Sequence, residues 1–182
     1  VSSPRRWSLS TSKARRFMAV AIVAEAPALR VSVRVPQASD IRDLERAERL
    51  CFVDPWPGQF FVSELFAPGR FHRVMVDPAG RLVAYLFSAW QYLDLHVLKI
   101  ATLPQHRGEG LARRLMEMAE HHVYESVGDS LTLEVRTSND AAIAMYRSLG
   151  YHSAGLRPGY YADGEDALIM TKRIFTVEDA TF

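Results

Sequence analysis

The run QHRGEGLARRL, residues 105–115, constrains this chain more than any other segment. It follows an apolar, strand-like segment at 93–101 and begins a helix whose apolar residues recur at 3.6-residue spacing. Small residues at Gly108, Gly110 and Ala112 let a bound group approach the backbone, because no large side chain intervenes. The first N–H groups of such a helix are unpaired, and the helix dipole favours an anion beside them. The run therefore predicts a site for a phosphorylated cofactor between a strand and a helix.

Spacing excludes two common phosphate-binding loops. A nucleotide P-loop ends in Lys followed by Ser or Thr, a pair that this run lacks. A dinucleotide fingerprint needs a small residue three positions after its second glycine, where this chain has Arg113. The pattern that remains is Gln/Arg-x-x-Gly-x-Gly/Ala, which residues 107–112 satisfy. A glycine-rich turn that binds no ligand is the alternative.

The second half of the chain predicts a further strand and helix. Residues 131–136 alternate between apolar and polar types and are rich in strand formers. Candidate N-cap residues follow at 137–139, and apolar residues then recur at helical spacing up to Leu149. Gly150 suits the position just after a helix, where the backbone often turns left-handed.

These segments resemble the GCN5-related N-acetyltransferase superfamily. The loop at 107–112 resembles the loop that binds the pyrophosphate of acetyl-CoA. The run LEVRTSNDAAIAMYRSLGY, residues 133–151, resembles the RimI-like branch, whose members acetylate the N-terminal alanine of small-subunit ribosomal protein number 18. The resemblance covers about 31–174, and further stretches agree with it: Pro55-Trp56-Pro57 with Phe60, and Tyr160-Tyr161 followed by Glu165-Asp166-Ala167.

The pattern of elements predicts an α/β (α+β) fold with a mixed, mostly antiparallel sheet flanked by helices. Predicted strands lie at 29–35, 71–76, 81–88, 93–101, 130–135, 151–156 and 167–174, and predicted helices at 39–51, 59–66, 111–123 and 139–149. The resemblance implies that the strands at 93–101 and 130–135 splay apart. The pantetheine arm of the cofactor would enter the gap between them.

Acetyl transfer needs a neutral amine and a proton for the departing thiolate. An N-terminal amine has a pKa near 7.7–8.0 against about 10.4 for lysine, a difference worth about 3.4 kcal/mol of deprotonation. A modest base therefore suffices for an α-amine. The resemblance implies that Glu134 is this base and that Tyr146 is the acid. The pattern alone favours a strand glutamate facing solvent for Glu134, and core packing is the alternative for Tyr146.

The resemblance also assigns residues to the two substrates. The cofactor contacts would come from Ile100, Ala101, Thr102, Gly108, Glu109, Gly110, Leu111, Ala112, Arg113 and Asn139. Family members usually have valine at Thr102 and a polar residue at Leu103, so this chain departs there. Asn139 could also cap its helix, and Arg113 could be surface charge. The candidate walls of the peptide groove are Trp56, Tyr160 and Tyr161, for which core packing is the alternative.

Composition restricts the remaining possibilities. The 182 residues, 48% of them apolar, fit one globular domain, and no apolar run approaches the length of a membrane span. The six histidines form no metal signature, and His96 is more simply a structural or surface residue than a proton acceptor. The single cysteine, Cys51, continues an apolar helical stripe and is interpreted as a core thiol. We expect a monomer that acts in the cytoplasm on protein N-termini, with no metal, nucleic acid or membrane partner.

Charge divides the chain into a leader and a body. Residues 1–17 hold five basic and no acidic residues, which leaves 17 basic against 21 acidic residues in the rest. We expect a poorly ordered Ser/Arg-rich leader at 1–28, an acetyltransferase domain at 29–175 and a tail at 176–182. The leader is either an organellar transit segment or, as we favour, translated upstream sequence with Met18 as the true start.

Two other functions are compatible with the same sequence. An acetyltransferase of this fold could act on a small-molecule amine or a lysine side chain, because the fold alone does not fix the acceptor. A non-catalytic acyl-CoA-binding module would need neither Glu134 nor Tyr146, so the presence of both favours an enzyme.

Overall fold

The structure is a computed structural model that describes residues 30–174. Its elements, in chain order, are β1 (Ser32–Arg34), α1 (Ile41–Cys51), α2 (Gly58–Phe66), β2 (Arg73–Val76), β3 (Leu82–Gln91), β4 (Asp94–Thr102), α3 (Leu111–Glu125), β5 (Ser130–Arg136), α4 (Asp140–Ser148), β6 (His152–Arg157) and β7 (Ala167–Arg173). Every predicted helix and strand is present, with boundaries shifted by a few residues. The predicted leader, its two alternative origins and the predicted tail lie outside the described residues, as does the start of the first strand at Leu29.

The strands form one sheet in the order β1-β2-β3-β4-β5-β7-β6. All neighbouring pairs are antiparallel except β4 and β5, which are parallel. Those two strands pair only from Asp94 opposite Ser130 to Val97 opposite Leu133, although they continue to Thr102 and Arg136. The predicted mixed, mostly antiparallel sheet with two splayed central strands is therefore confirmed.

Alternation along β5 separates the two faces of the sheet. Leu131, Leu133 and Val135 are buried in the core that β5 shares with α3 and α4, which we call the α3/α4 face. The residues between them, including Glu134, therefore point to the opposite side, the α1/α2 face. There the core is built from α1, α2 and strands β2, β3 and β4, and it contains Leu44, Ala47, Phe61, Val74, Tyr85 and Phe87. The sheet thus lies between two helical layers.

A β-bulge interrupts β4 at the start of the splay. Opposite Phe87 and Ser88 of β3, the register passes from Lys99 to Val97 and leaves Leu98 as the extra residue. Because of this extra residue, His96 and Lys99 both point to the α1/α2 face, although strict alternation would place them on opposite faces.

Local signals in the sequence explain where the helices of the second half begin and end. The Asn139 side chain accepts a hydrogen bond from the Ala142 N–H (3.2 Å) at the start of α4. Gly150 follows α4 with a φ of 92°, in the left-handed region that the sequence predicted. The proposed cap and the proposed stop therefore both fix the helix that carries Tyr146.

The buried His72 is expected to make the fold sensitive to acid. Its ring is 5% exposed, with Nδ1 accepting from the Ser88 N–H and Nε2 lying 3.2 Å from the Glu64 carbonyl oxygen. Burial holds the pKa of His72 below its usual value despite the nearby Glu64 carboxylate. The unfolded state therefore binds the proton first, and stability should fall as the pH drops below about 6.5, by at most about 1.4 kcal/mol per pH unit for this group.

Urea unfolding at pH 7 and pH 5 measures this effect. The variant His72→Asn keeps an oxygen that can accept from the Ser88 N–H but cannot titrate, so its stability should vary less between the two pH values. An equal pH dependence in His72→Asn and the wild type would show that other groups cause it.

Candidate active site

Glu134 lies at the point where β4 and β5 separate. Its side chain is 8% exposed, and its Oε2 is 2.6 Å from Nε2 of His96 on β4. Its Oε1 is 3.4 Å from the guanidinium of Arg157 on β6. The hydrogen bond with His96, aided by the Arg157 charge, holds the pKa of Glu134 below its usual range although burial opposes this. Glu134 is therefore a buried, ionised carboxylate and not a strand glutamate facing solvent.

His96 on β4 is the hydrogen-bonding partner of the Glu134 carboxylate, with Nε2 2.6 Å from Oε2. This contact gives the histidine a specific structural role, within the structural or surface role expected from the sequence. The parallel pairing of β4 with β5 explains this contact. It places His96 opposite Thr132, which lies two residues before Glu134 on the same face of the sheet. That register depends on pairing between distant segments, which a single sequence does not show.

Tyr146 on α4 packs in the core, but its hydroxyl has no hydrogen-bonding partner among residues 30–174. Its ring packs 5.8 Å from that of Tyr151 within the core of the α3/α4 face. Burial raises the pKa of Tyr146, and Tyr161 adds to this increase, so the phenol keeps its proton at neutral pH. Within residues 30–174 no group hydrogen-bonds its hydroxyl. The Tyr146 phenol therefore combines a retained proton with no internal acceptor among those residues.

The part of β4 that follows the bulge has one open edge. Ile100, Ala101 and Thr102 pair with β3 on one side, but β5 no longer pairs with β4 there. In the described part of the chain, the buried Thr102 hydroxyl also has no hydrogen-bonding partner. An extended ligand could therefore pair with the backbone of this edge as a strand would.

The loop before α3 leaves room for an anion. Gly108 and Gly110 have φ values of 81° and 77°, which favour glycine, and nothing lies within 4 Å of where a Cβ would be. The first hydrogen bond of α3 runs from the Arg114 N–H to the Gly110 carbonyl (3.0 Å). The preceding N–H groups of residues 111–113 have no backbone acceptor among residues 30–174. This arrangement fits a pyrophosphate.

The other predicted residues of this loop make contacts within the protein. Arg113 donates to the Ser148 hydroxyl and thereby joins α3 to α4. Glu109 lies 3.5 Å from His106. Leu111 is buried in the core of the α3/α4 face, and Ala112 is half-buried. These contacts give Arg113 a structural role, so its predicted phosphate contact stays a prediction.

The predicted walls of the acceptor groove lie on two separate loops. Trp56 is half-buried between α1 and α2, where its ring is 5.8 Å from that of Phe60 and 5.6 Å from that of Phe61. Tyr160 and Tyr161 lie between β6 and β7, with their rings 5.1 Å apart. Tyr160 is 46% exposed, which excludes core packing for that residue.

Arg136 holds the loop between β6 and β7 against the sheet. Its guanidinium lies 3.9 Å from the centre of the Tyr161 ring and forms ion pairs with Asp163 (2.8 Å) and Glu165 (2.7 Å). The Ser138 N–H and the Arg136 charge lower the pKa of Glu165 to about 2. Burial raises the pKa of Tyr161 to about 12, so its hydroxyl is neutral beside Tyr146 and Glu134.

Comparison with known proteins identifies the family. The model of the acetyltransferase (GNAT) family matches residues 41–151. The chain belongs to this family. It is 34% identical over 143 residues to a putative ribosomal protein bS18-alanine N-acetyltransferase of Bacillus subtilis, with 78% of this chain and 94% of the relative covered. It is 35% identical over 150 residues to the N-alpha-acetyltransferase RimI of Mycobacterium tuberculosis, with 78% and 92% covered.

A solved structure agrees with these relatives. The ribosomal-protein-S18-alanine N-acetyltransferase from Escherichia coli superposes with a TM-score of 0.76 at 28% identity, and 84% of this chain and 99% of that chain are covered. GNAT enzymes are acetyl-CoA-dependent acetyltransferases, and the enzyme class predicted from the sequence is therefore confirmed. The open space at Gly108 and Gly110 and the unpaired N–H groups fit the pyrophosphate of acetyl-CoA.

Two charged residues of this GNAT chain were not anticipated. Glu48 on α1 is fully buried and accepts hydrogen bonds from the Trp56 N–H (2.8 Å) and the Tyr85 hydroxyl. Its Oε2 is 3.3 Å from Nζ of Lys99 on β4. A signal for Glu48 exists in the sequence, because it lies at helical spacing on the apolar stripe of Ile41, Leu44 and Cys51.

Residues 30–174 contain neither a candidate metal cluster nor a membrane-spanning helix. No group of three or more His, Cys, Asp or Glu side chains there could hold a metal ion. In the same part of the chain, no helix is long and apolar enough to cross a membrane. Cys51 packs beside the core of the α1/α2 face, and burial raises the pKa of its thiol, in agreement with the interpretation of a core thiol.

Proposed function

We propose that this chain transfers the acetyl group of acetyl-CoA to the N-terminal α-amine of a protein, with the alanine of small-subunit ribosomal protein S18 as its acceptor in the cytoplasm. The observation that carries the proposal is the buried, ionised Glu134, paired with His96 beside the open edge of β4. The names of the Bacillus, Mycobacterium and Escherichia proteins support the acceptor.

Glu134 acts as the base in this proposal. Its lowered pKa makes it a weak base that stays charged, so it can accept, directly or through one water, the proton that the neutral amine loses as the new C–N bond forms. A weak base is sufficient because the α-amine has a pKa of about 8 and is partly neutral at pH 7. His96 and Arg157 hold the two carboxylate oxygens in one orientation.

Acetyl-CoA supplies an acyl thioester that the neutral amine can attack. The residues proposed to hold it are the open edge at 100–102, the loop at 108–113 and Asn139, which caps α4. The Tyr146 hydroxyl is the proposed source of the proton that the leaving sulfur needs, because it retains its proton at neutral pH. Trp56, Tyr160 and Tyr161 are the proposed walls of the acceptor groove.

Substituting Gly110→Ala is expected to weaken acetyl-CoA binding by at least about tenfold, the loss that follows when about 1.4 kcal/mol of binding free energy is removed. A Cβ would occupy the open space beside the unpaired N–H groups, and a φ of 77° would strain alanine. Gly80→Ala is the matched control, since Gly80 has a φ of 78° and equally open space in the turn between β2 and β3. Calorimetry with acetyl-CoA should show a loss only for Gly110→Ala. Equal affinities of the two variants for acetyl-CoA would show that the loop is not part of the cofactor site.

The acceptor is tested with three amines. Acetyl-CoA turnover is measured on peptides that begin with free alanine, on the same peptides with a blocked N-terminus and an internal lysine, and on a polyamine. We expect turnover of the free alanine peptides only. Activity confined to the lysine peptide or the polyamine would contradict an N-terminal acceptor, but it would still agree with an acetyltransferase of different acceptor specificity. Binding of acetyl-CoA without any turnover would favour the non-catalytic module.

A further inference from the structure

The segment between α1 and α2, residues 52–57, is held to the sheet by a buried ion pair. We call this segment the acceptor loop. The carboxylate of Glu48 is 0% exposed and has three partners: the Trp56 N–H at 2.8 Å, the Tyr85 hydroxyl and the Lys99 ammonium at 3.3 Å. A buried carboxylate with several donors is costly to disturb, because any lost partner leaves charge without compensation.

Lys99 holds the acceptor loop from the other side. Its Nζ lies 4.0 Å from the centre of the Phe52 ring and 5.1 Å from that of Trp56, and its side chain is 13% exposed. Burial lowers the pKa of Lys99, whereas Glu48 and Asp54 favour its charged form. The cation thus contacts the loop through two aromatic faces while its carboxylate partner accepts from the loop backbone.

Neither residue contacts the proposed base or acid. Glu134 is partnered by His96 and Arg157, and Tyr146 lies in the core of the opposite face. The charged groups around Lys99 are Glu48, Asp54 and Arg136, and the last of these holds the loop that carries Tyr161. Lys99 is thus in contact with one proposed wall of the groove, Trp56, and within electrostatic range of Arg136, which holds the loop of the other wall.

We propose that Glu48 and Lys99 are positioning residues that fix Trp56 as a wall of the acceptor groove and thereby set the affinity for the acceptor peptide. The proposal rests on the proposed function only in taking a peptide as the acceptor. It predicts a change in KM for that acceptor, with little change in kcat or in the affinity for acetyl-CoA. A merely structural role would instead lower the fraction of active enzyme and so reduce the apparent kcat.

The test uses two single variants and their combination in the full chain. Glu48→Gln leaves Lys99 without its counter-charge, and Lys99→Met leaves Glu48 charged with two donors. Each should raise KM for an alanine peptide about tenfold, the effect of losing about 1.4 kcal/mol of binding free energy, with kcat within about threefold. The double variant should recover most of the affinity, because the glutamine oxygen still accepts from the Trp56 N–H and no buried charge is left alone. Lys99→Arg should be the mildest change.

Lys172→Met is the matched control, since Lys172 is the only other lysine among the described residues and pairs with Glu120 at 2.6 Å on the α3/α4 face. It should lower the melting temperature without changing KM for the peptide. Unchanged KM in both single variants, or a double variant no better than either, would overturn the proposal. Wild-type turnover tests the proposed function separately, and the variants are compared on whichever amine the wild type acetylates.

Discussion

Glu134→Gln is expected to lower kcat by about 10²–10⁴, the usual contribution of a positioned acid or base. Glutamine preserves the shape of the side chain but cannot accept the proton of the acceptor amine. It also leaves Arg157, 3.4 Å away, without its charged partner. Steady-state kinetics with an alanine peptide measure the effect, and the affinity for acetyl-CoA should change little.

A matched control separates catalysis from the loss of a buried carboxylate. Glu64 is ion-paired with Arg70 at 2.6 Å, and its side chain is 15% exposed. Glu64→Gln should therefore lower the free energy of unfolding in the same way while leaving kcat close to the wild-type value, because Glu64 contacts neither Glu134 nor Tyr146. A wild-type kcat in Glu134→Gln would show that Glu134 has a structural role and is not the base.

The lowered pKa of Glu134 also bears on the pH profile. Since His96 and Arg157 hold this pKa below its usual range, the carboxylate stays ionised well below neutral pH. The fall of kcat/KM from pH 8 to pH 6 should therefore follow the titration of the acceptor amine, whose neutral fraction decreases about tenfold per pH unit below its pKa.

Tyr146→Phe is the second large expected effect, a fall in kcat of about 10²–10⁴ from the loss of a proton donor. Phenylalanine keeps the packing of the ring against Tyr151, so the melting temperature should change little. Tyr151→Phe is the control, because it removes a neighbouring buried hydroxyl from the same core. If the two variants lose activity equally, the effect belongs to the packing of this core and not to a proton from Tyr146.

Most of the fold could be predicted because its signals are local. The alternation around Glu134 and the helical spacing that leads to Tyr146 can be recognised within one segment each. The cap at Asn139 and the turn at Gly150 fix their helix through neighbours a few residues away. The catalytic roles expected for Glu134 and Tyr146 depend on family resemblance. The variants Glu134→Gln and Tyr146→Phe test these roles.

The residues that escaped prediction depend on contacts between distant segments. His96 matters through the register of β4 with β5, and Lys99 through the bulge at Leu98, which turns it to the same face as His96. A pattern of period two assigns those two side chains to opposite faces. The position of Glu48 on the apolar stripe of α1 indicates burial, but its partner Lys99 on β4 depends on a contact between distant segments.

The open edge of β4 has a consequence for how freely this sequence can vary. Beyond Val97 the strand offers backbone donors and acceptors to one side without a neighbouring strand to take them. A cofactor held there would be recognised by peptide groups, which every residue type except proline provides in full. Recognition of this kind places little demand on side chains. If a cofactor pairs with this edge, Thr102 would serve it as well as the valine usual in the family, whereas a proline at a residue whose N–H faces the open edge would remove one donor.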